Sequence, residues 1–412
     1  DSQCDLATVT GHGNRPLSAA MAIGTREGTT MKLRRTRTLV GYWHDGEFVL
    51  EDYLAAKSSD IDEDNAVAVD LQTLRFLDHF PDWTDSEDIL TAFADYDADS
   101  VREAISSLHQ AGLLHTMDEA HREDQLCADW QHWSEEARFF HFGTKDAVYI
   151  GDDDEHRREA AAVALAGGPP PPIFTSYPQA PRVRLTRAFL PLRGEFTDVL
   201  LARRTHRTFT EKPVGLRELS TVLHYTFAPM YFVDAREYGT LMFRTSPGGG
   251  ARHEIETYVG VLNVDGVAPG LYHYNPDQHS LEQLSDAFGA AEVSRLSFDQ
   301  VMATSAGFVV FLTARIERAT YKYRHPRTLR MILLDAGHLA QTFDLVSTAA
   351  GLGPFQTAAF RDSEVEAALG LDGISETALY LLGAGNPAVT PSGRPADMRV
   401  AQHPSVDRTP TP

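Results

Sequence analysis

The sequence predicts an α+β protein in two parts, a small helical module followed by a larger domain of mixed helices and strands. Three observations predict it. Residues 71–112 carry three short stretches of helical apolar spacing. The run Gly167-Gly168-Pro169-Pro170-Pro171-Pro172 can be neither helix nor central strand and interrupts the chain. Beyond it, helical and strand patterns alternate almost to the end. With 412 residues, 42% of them apolar, the chain can bury one substantial core and a smaller second one.

The elements follow in order. Residues 1–30 lack the apolar core of a signal peptide, and Met31 leads into Lys32-Leu33-Arg34-Arg35, so 1–30 are expected to be a disordered extension. Residues 31–145 form the module. Alternation around Leu39-Val40-Gly41-Tyr42 and Phe48-Val49-Leu50 predicts a hairpin turning at Asp45-Gly46. Leu71, Leu74 and Leu77 predict a helix over 71–80, and a second is expected over 85–93. A third starts at the cap Asp99-Ser100, carries Val101, Ile105 and Leu108, and ends at Gly112. Three short helices followed by Leu113-Leu114-His115 resemble a winged-helix module, whose ordinary partner is DNA. Charge opposes that partner: residues 60–124 hold eighteen Asp and Glu against three Arg and no Lys, and the whole chain carries −21. Such a surface repels a phosphate backbone, so a peptide or protein clamp fits better; a plain scaffold is the alternative.

Trp130, Trp133, Phe139, Phe140 and Phe142 are expected to pack in a core or interface. Residues 146–183 read as a linker, 184–390 as the larger domain, and 391–412 as a flexible tail. Two cysteines, Cys4 and Cys127, are too few for a disulfide framework, which suits a reducing cytoplasm. No apolar run approaches the roughly 20 residues that cross a bilayer. The longest, Phe308–Leu312, reads as a buried strand.

Five segments carry chemistry. Arg203-Arg204-Thr205-His206-Arg207 sets three guanidinium groups and a hydroxyl after a helix predicted near 196–201, a donor set suited to phosphate. Ser246-Pro247-Gly248-Gly249-Gly250-Ala251-Arg252-His253 is a glycine loop ahead of a strand, able to approach a flat ligand; it is neither a Walker loop nor a GxGxxG fingerprint. Pro269-Gly270-Leu271-Tyr272-His273-Tyr274 is a hairpin with aromatic strands. Tyr321-Lys322-Tyr323-Arg324 precedes the helix of Leu334-Asp335-Ala336-Gly337-His338 and can supply a base or proton relay. Gly351-Leu352-Gly353-Pro354 is a helix exit with amides to offer. Taken singly, each has an ordinary reading: a solvated basic face, a turn, a hairpin, a surface lysine, a cap.

Together, in this order and spacing, they resemble the SagB/ThcOx-type azoline dehydrogenases of the nitroreductase superfamily, over residues 195–387. The resemblance implies a nitroreductase-like α+β domain, a mixed sheet flanked by helices, holding FMN at a homodimer interface. It assigns Arg203, Arg204, Thr205 and Arg207 to the flavin phosphate and ribityl chain. It assigns the loop Ser246, Pro247, Gly248, Gly249, Gly250 and Arg252 to the flavin of the neighbouring subunit, Leu352 and Gly353 to its reactive edge, and Lys322 and Tyr323 to proton abstraction. No metal is implied. One departure stands out: relatives carry Pro-Ser-x-Gly where this chain has Pro247-Gly248-Gly249-Gly250, and Ser246 would stand in for the missing hydroxyl.

The implied reaction oxidises thiazoline or oxazoline rings of a ribosomal precursor peptide, whose leader the N-terminal module would bind, with a cyclodehydratase as a further partner. Tyr323, beside the Lys322 ammonium, and Lys322 itself are both candidate bases. Two rival reactions use the same parts. One reduces dehydroamino acids of a lanthipeptide-like precursor. The other oxidises carrier-bound thiazolines in nonribosomal peptide synthesis.

Overall fold

The computed structural model describes residues 10–11, 31–55, 66–147, 158, 162, 165–192, 194–235 and 238–389. The chain divides into two compact units, 1–149 and 150–412. The tail expected from 391 onward lies outside the described residues.

In the first unit, a four-stranded antiparallel sheet is formed by β1 (Thr10–Gly11), β3 (Leu39–His44), β4 (Glu47–Asp52) and β5 (Ala66–Ala68), and β2 (Lys32–Arg35) stands apart from it. The β3–β4 hairpin turns at Asp45 and Gly46, both at positive φ (47° and 87°), the geometry a two-residue primed turn requires. Thr10 pairs with Ala68, so part of the expected disordered extension is an ordered edge strand. Helices α1 (Leu71–Leu77), α2 (Ser86–Ala92) and α3 (Ala98–Gln110) follow, with β6 (Thr84–Asp85) and β7 (Leu114–His115) flanking β2 in a three-stranded sheet. The third helix begins earlier than the Asp99-Ser100 cap expected for it. Asp97 is the cap, because its carboxylate reaches the Ser100 amide at 2.9 Å. Leu33, Phe76, Leu77, Val101, Ile105, Leu108 and Leu114 close this core. Two more helices, α4 (His121–Asp129) and α5 (Glu135–Gly143), carry the aromatic cluster. Trp130, Phe139 and Phe142 pack on Tyr53, Leu54 and Leu126, whereas Trp133 is 60% exposed.

The second unit is built on a seven-stranded sheet. In chain order its elements are β8 (Arg182–Arg184), α6 (Phe196–Ala202), α7 (Leu216–Phe227), the ribbon β9 (Tyr231–Asp234) and β10 (Thr240–Phe243), β11 (Ile255–Val261), β12 (Gly270–Asn275), β13 (Ser280–Ser285), α8 (Ala290–Leu296), α9 (Val301–Thr304), β14 (Phe308–Arg315), α10 (Ile316–Thr320), α11 (Thr328–Ala349), β15 (Gly353–Thr357), α12 (Asp362–Leu369) and β16 (Glu376–Gly385). The strand order is β15-β16-β14-β11-β12-β13-β8. The fold class is the one expected, but the sheet is not mixed: every pairing within it is antiparallel. Short hairpins such as β11–β12–β13 impose that sense, whereas parallel neighbours need a long crossover.

Strand periodicity splits the core. Along β14, Phe308, Val310 and Leu312 face one layer with α7 and α11, and Val309 and Phe311 face the other with α8 and α12. Both faces are covered, which explains why the Phe308–Leu312 run is continuously apolar. The proline-rich stretch, expected as a linker to residue 183, lies along this sheet instead. Thr175 Oγ1 donates to Glu256 (2.7 Å), the Tyr177 amide to Glu282 (2.9 Å), and β8 pairs with β13. Prolines leave carbonyls free to accept, and the Pro172 carbonyl takes the Arg318 Nε–H at 2.8 Å.

Candidate active site

Helix α11 organises the site. Its first half meets the glycine loop, and its second half meets the arginine segment. The loop is strained: Gly250, Ala251 and His253 stand at φ of 58°, 54° and 47°, and the Ala251 amide donates to the Gly248 carbonyl (3.0 Å). Alanine and histidine rarely hold that region, and such backbone persists only where its surroundings over-determine it. The surroundings are visible. Asp335 of α11 accepts the Gly249 amide at 2.6 Å. A Cβ on Gly249 would strike the Met331 side chain, and one on Gly250 would lie 2.3 Å from the Tyr323 hydroxyl. The glycines therefore admit Met331 and Tyr323 of this same chain, so at least one side of the loop is already covered.

Tyr323 is half-buried with its hydroxyl on the loop. Its carbonyl accepts from Thr328 at 2.9 Å, which ties it to the start of α11. Lys322 is exposed, and its ammonium sits 5.1 Å from the ring centres of both Tyr323 and Tyr238. Lysine, tyrosine and loop thus form one cluster.

Two of the loop residues expected to face a cofactor turn inward. Arg252 is buried, donating Nε–H to the Arg318 carbonyl (3.1 Å) and Nη1–H to the Tyr238 carbonyl (3.2 Å). Ser246, expected to replace the missing hydroxyl, is 2% exposed and bonded to Thr342 Oγ1 at 2.6 Å. A hydroxyl flanked by the turns of α11 finds its partner there. Pro247 and Gly248 remain on the loop's outer side or half-buried. His253 is buried, and that burial, with Arg244 nearby, pushes its imidazole down to about 3.

The second cluster lies where α6 ends. The His206 amide donates to the Pro354 carbonyl (2.9 Å), and the Ala388 amide donates to the Thr208 carbonyl (3.1 Å). These bonds lay Arg203, Arg204, Thr205 and Arg207 beside Leu352 and Gly353, where a Cβ on Gly353 would meet the His206 ring at 2.7 Å. Arg203 Nη1 is 3.6 Å from Asp344 of α11. Burial pushes the Asp344 carboxyl up to about 6, with Arg203 and Gln356 opposing it. Arg204 and Arg207 are exposed and make no ion pair with a described residue. Three guanidinium groups with a single carboxylate among them suit a phosphate.

Asp335 and Asp344 are nine residues apart on α11, about 13 Å along a helix. Asp335, Met331, Tyr238 and Asp344 were not assigned roles from the sequence. Asp335 and Asp344 carry a signal, each being an acid amid apolar residues of a helical stretch; Met331 and Tyr238 carry none.

A model of the nitroreductase family matches residues 200–386. A protein of Methanocaldococcus jannaschii named as a nitroreductase is 36% identical over 168 residues, 41% of this chain and 80% of its own. Two proteins of Rhizobium leguminosarum bv. trifolii are also similar. The trifolitoxin-processing protein TfxB is 27% identical over 305 residues, covering 71% of this chain and 81% of its own. The trifolitoxin operon protein TfxC is 26% identical over 367 residues, covering 83% and 96%.

Proposed function

The chain belongs to the nitroreductase family, and we propose that it is an FMN-dependent dehydrogenase that oxidises thiazoline or oxazoline rings in a ribosomally made precursor peptide. The observation that carries the reading is the contact of the Tyr323 hydroxyl with the glycine loop, with the Lys322 ammonium against the same ring. Similarity to TfxB, a protein of trifolitoxin processing, supports a peptide substrate.

Bound FMN would supply hydride acceptance. Arg203, Arg204, Thr205 and Arg207 would hold its phosphate and ribityl chain, and the amides near Leu352 and Gly353 would approach its ring. The loop of Pro247–Gly250 would serve the neighbouring subunit's flavin in a homodimer, in keeping with the separation of the two clusters along α11. Tyr323, as its phenolate, would take the proton from the ring carbon next to the one that loses hydride and become the neutral phenol. Lys322 would hold positive charge at the ring face, where it stabilises the phenolate that accepts the proton. Tight seating of Tyr323 between the loop and the start of α11 fixes its oxygen before substrate arrives.

The first unit would hold the precursor's leader and meet a cyclodehydratase. Its density of carboxylates supports a peptide over nucleic acid. The test is mass spectrometry of an azoline-bearing peptide incubated with protein and FMN. Loss of two hydrogens per ring is expected. A gain of two hydrogens on a dehydroalanine peptide, with azolines untouched, would reassign the enzyme as a reductase.

A further inference from the structure

Beneath the glycine loop lies a buried acid that the proposed chemistry does not use. Glu254, the residue before β11, is fully buried, and neither of its carboxylate oxygens accepts a hydrogen bond from another described residue. An ionised carboxylate without a donor is among the most unfavourable groups to bury. Another acid, Asp335, interacts with Glu254 there; Asp335 is 6% exposed and its Oδ2 already accepts the Gly249 amide at 2.6 Å. Two carboxyl groups can face each other in a dry site only with a proton between them.

The other charged groups around the pair do not replace that proton. Arg244, at the exit of β10, donates Nη1–H to the Ile255 carbonyl (3.3 Å); its charge draws the Glu254 carboxyl down, but burial and Asp335 outweigh it. Arg252 and Arg318 are committed to backbone carbonyls and to Glu256. His338 stands 3.5 Å from the other oxygen of Asp335, and His253 is held neutral by its burial.

We propose that Glu254 and Asp335 hold one proton between them, and that this proton keeps the glycine loop seated, which makes Glu254 a positioning residue for the site. With the proton present, Asp335 bridges Glu254 on one side and the Gly249 amide on the other. When it leaves, two like charges face each other in a buried space and water must enter to separate them. The loop that Asp335 anchors then loosens, and the contact of Gly250 with Tyr323 loosens with it. Burial, with Asp335 adding to it, pushes the Glu254 carboxyl up to about 7, so this release falls near neutrality.

The proposal rests on the functional reading only in taking this loop to face flavin and substrate, and its test needs neither. Glu254→Gln mimics the protonated acid. A carboxyl raised in the folded state contributes full stability below its ordinary range and loses it as pH rises through the folded value. Wild type should therefore lose stability relative to the variant, by on the order of a hundredfold in the folded-to-unfolded ratio between about pH 5 and about pH 8. Full-length wild type and variant are compared by thermal unfolding across that range. Hydrogen exchange of a peptide spanning 246–253 should be faster in wild type than in the variant at the higher pH, and equal at the lower.

A variant that loses relative stability as pH rises would mean that Glu254 is ionised and paired with Arg244, and would overturn the proposal. So would a difference that does not change with pH, or loop exchange that is the same in both proteins. If Glu254→Gln does not fold, Asp335→Asn is read by the same two measurements. A protein that shows the stability difference yet binds no flavin would sink the functional reading and leave the shared proton standing.

Discussion

Single side chains decide the chemistry. Tyr323→Phe keeps the ring and its packing on the loop but removes the hydroxyl oxygen proposed as the base. Positioned general-base catalysis contributes about a hundredfold to ten-thousandfold, and turnover should fall within that range while flavin content and melting temperature hold. Azoline oxidation near the wild-type rate in this variant would remove Tyr323 from the mechanism. Gly250→Ala tests the same contact from the backbone. Its Cβ would lie 2.3 Å from the Tyr323 hydroxyl at a φ of 58°, so the ring must move, and left-handed alanine adds roughly 1–2 kcal/mol. Its turnover should drop at least as far as that of Tyr323→Phe, and a soluble, folded variant with normal turnover would show the contact to be dispensable. At the arginine cluster, replacing Arg203 and Arg207 together with Ala removes two charge-assisted bonds of roughly 1.5–3 kcal/mol each, and flavin affinity should weaken about a hundredfold or more. Flavin titration by fluorescence quenching reads this directly, and an unchanged affinity would locate the phosphate elsewhere.

At the scale of elements, the segment from Pro172 to Arg184 is a strap welded to the sheet by buried charge. His273 of β12 is fully buried between Glu256 (3.0 Å) and Glu282 (3.1 Å), and Arg182 reaches Glu282 at 2.8 Å. Burial alone would raise the Glu282 carboxyl, but bonds from His273, the Tyr177 amide and Asn275 outweigh it and hold it at about 2. A carboxylate held low stabilises the fold above its ordinary range, and that contribution is lost as pH falls through the folded value. The stability difference between wild type and Glu282→Gln should thus be largest near neutrality, about 3 kcal/mol or more for a broken buried pair, and should close between about pH 4.5 and about pH 2. Thermal unfolding over that range checks it; a difference constant with pH would mean that Glu282 is not the anion of this network.

For the whole molecule, the resemblance leads us to expect a homodimer. Exposed apolar residues on α11 (Leu329, Leu333, Leu334) and α6 (Phe196, Leu200, Leu201) give such a contact material to bury. Light scattering at micromolar concentration should give twice the chain mass, and a flavin-loaded monomer would contradict the shared site. The acidic first unit should likewise leave duplex DNA unbound at physiological salt, and tight DNA binding would overturn its assignment to peptides.

Much of the fold is legible in the sequence. The hairpin at Asp45-Gly46, the three helices of the first unit and the buried strand at Phe308–Leu312 follow from local rules of periodicity and turn chemistry. The five motifs pointed to the family because their order along the chain is a property of sequence. What local rules cannot carry is the partner of a polar group. Ser246 and Arg252 looked like ligand contacts and proved to be bonded within the chain, and the proline-rich stretch proved to be strapped to the sheet. Glu254 and Asp335 are eighty-one residues apart in the sequence, and only the packing of α11 against the start of β11 brings them together. Periodicity tells which residues are buried; which buried charges meet is fixed by the tertiary fold, because electrostatic energy depends on distances in space that spacing along the chain does not encode.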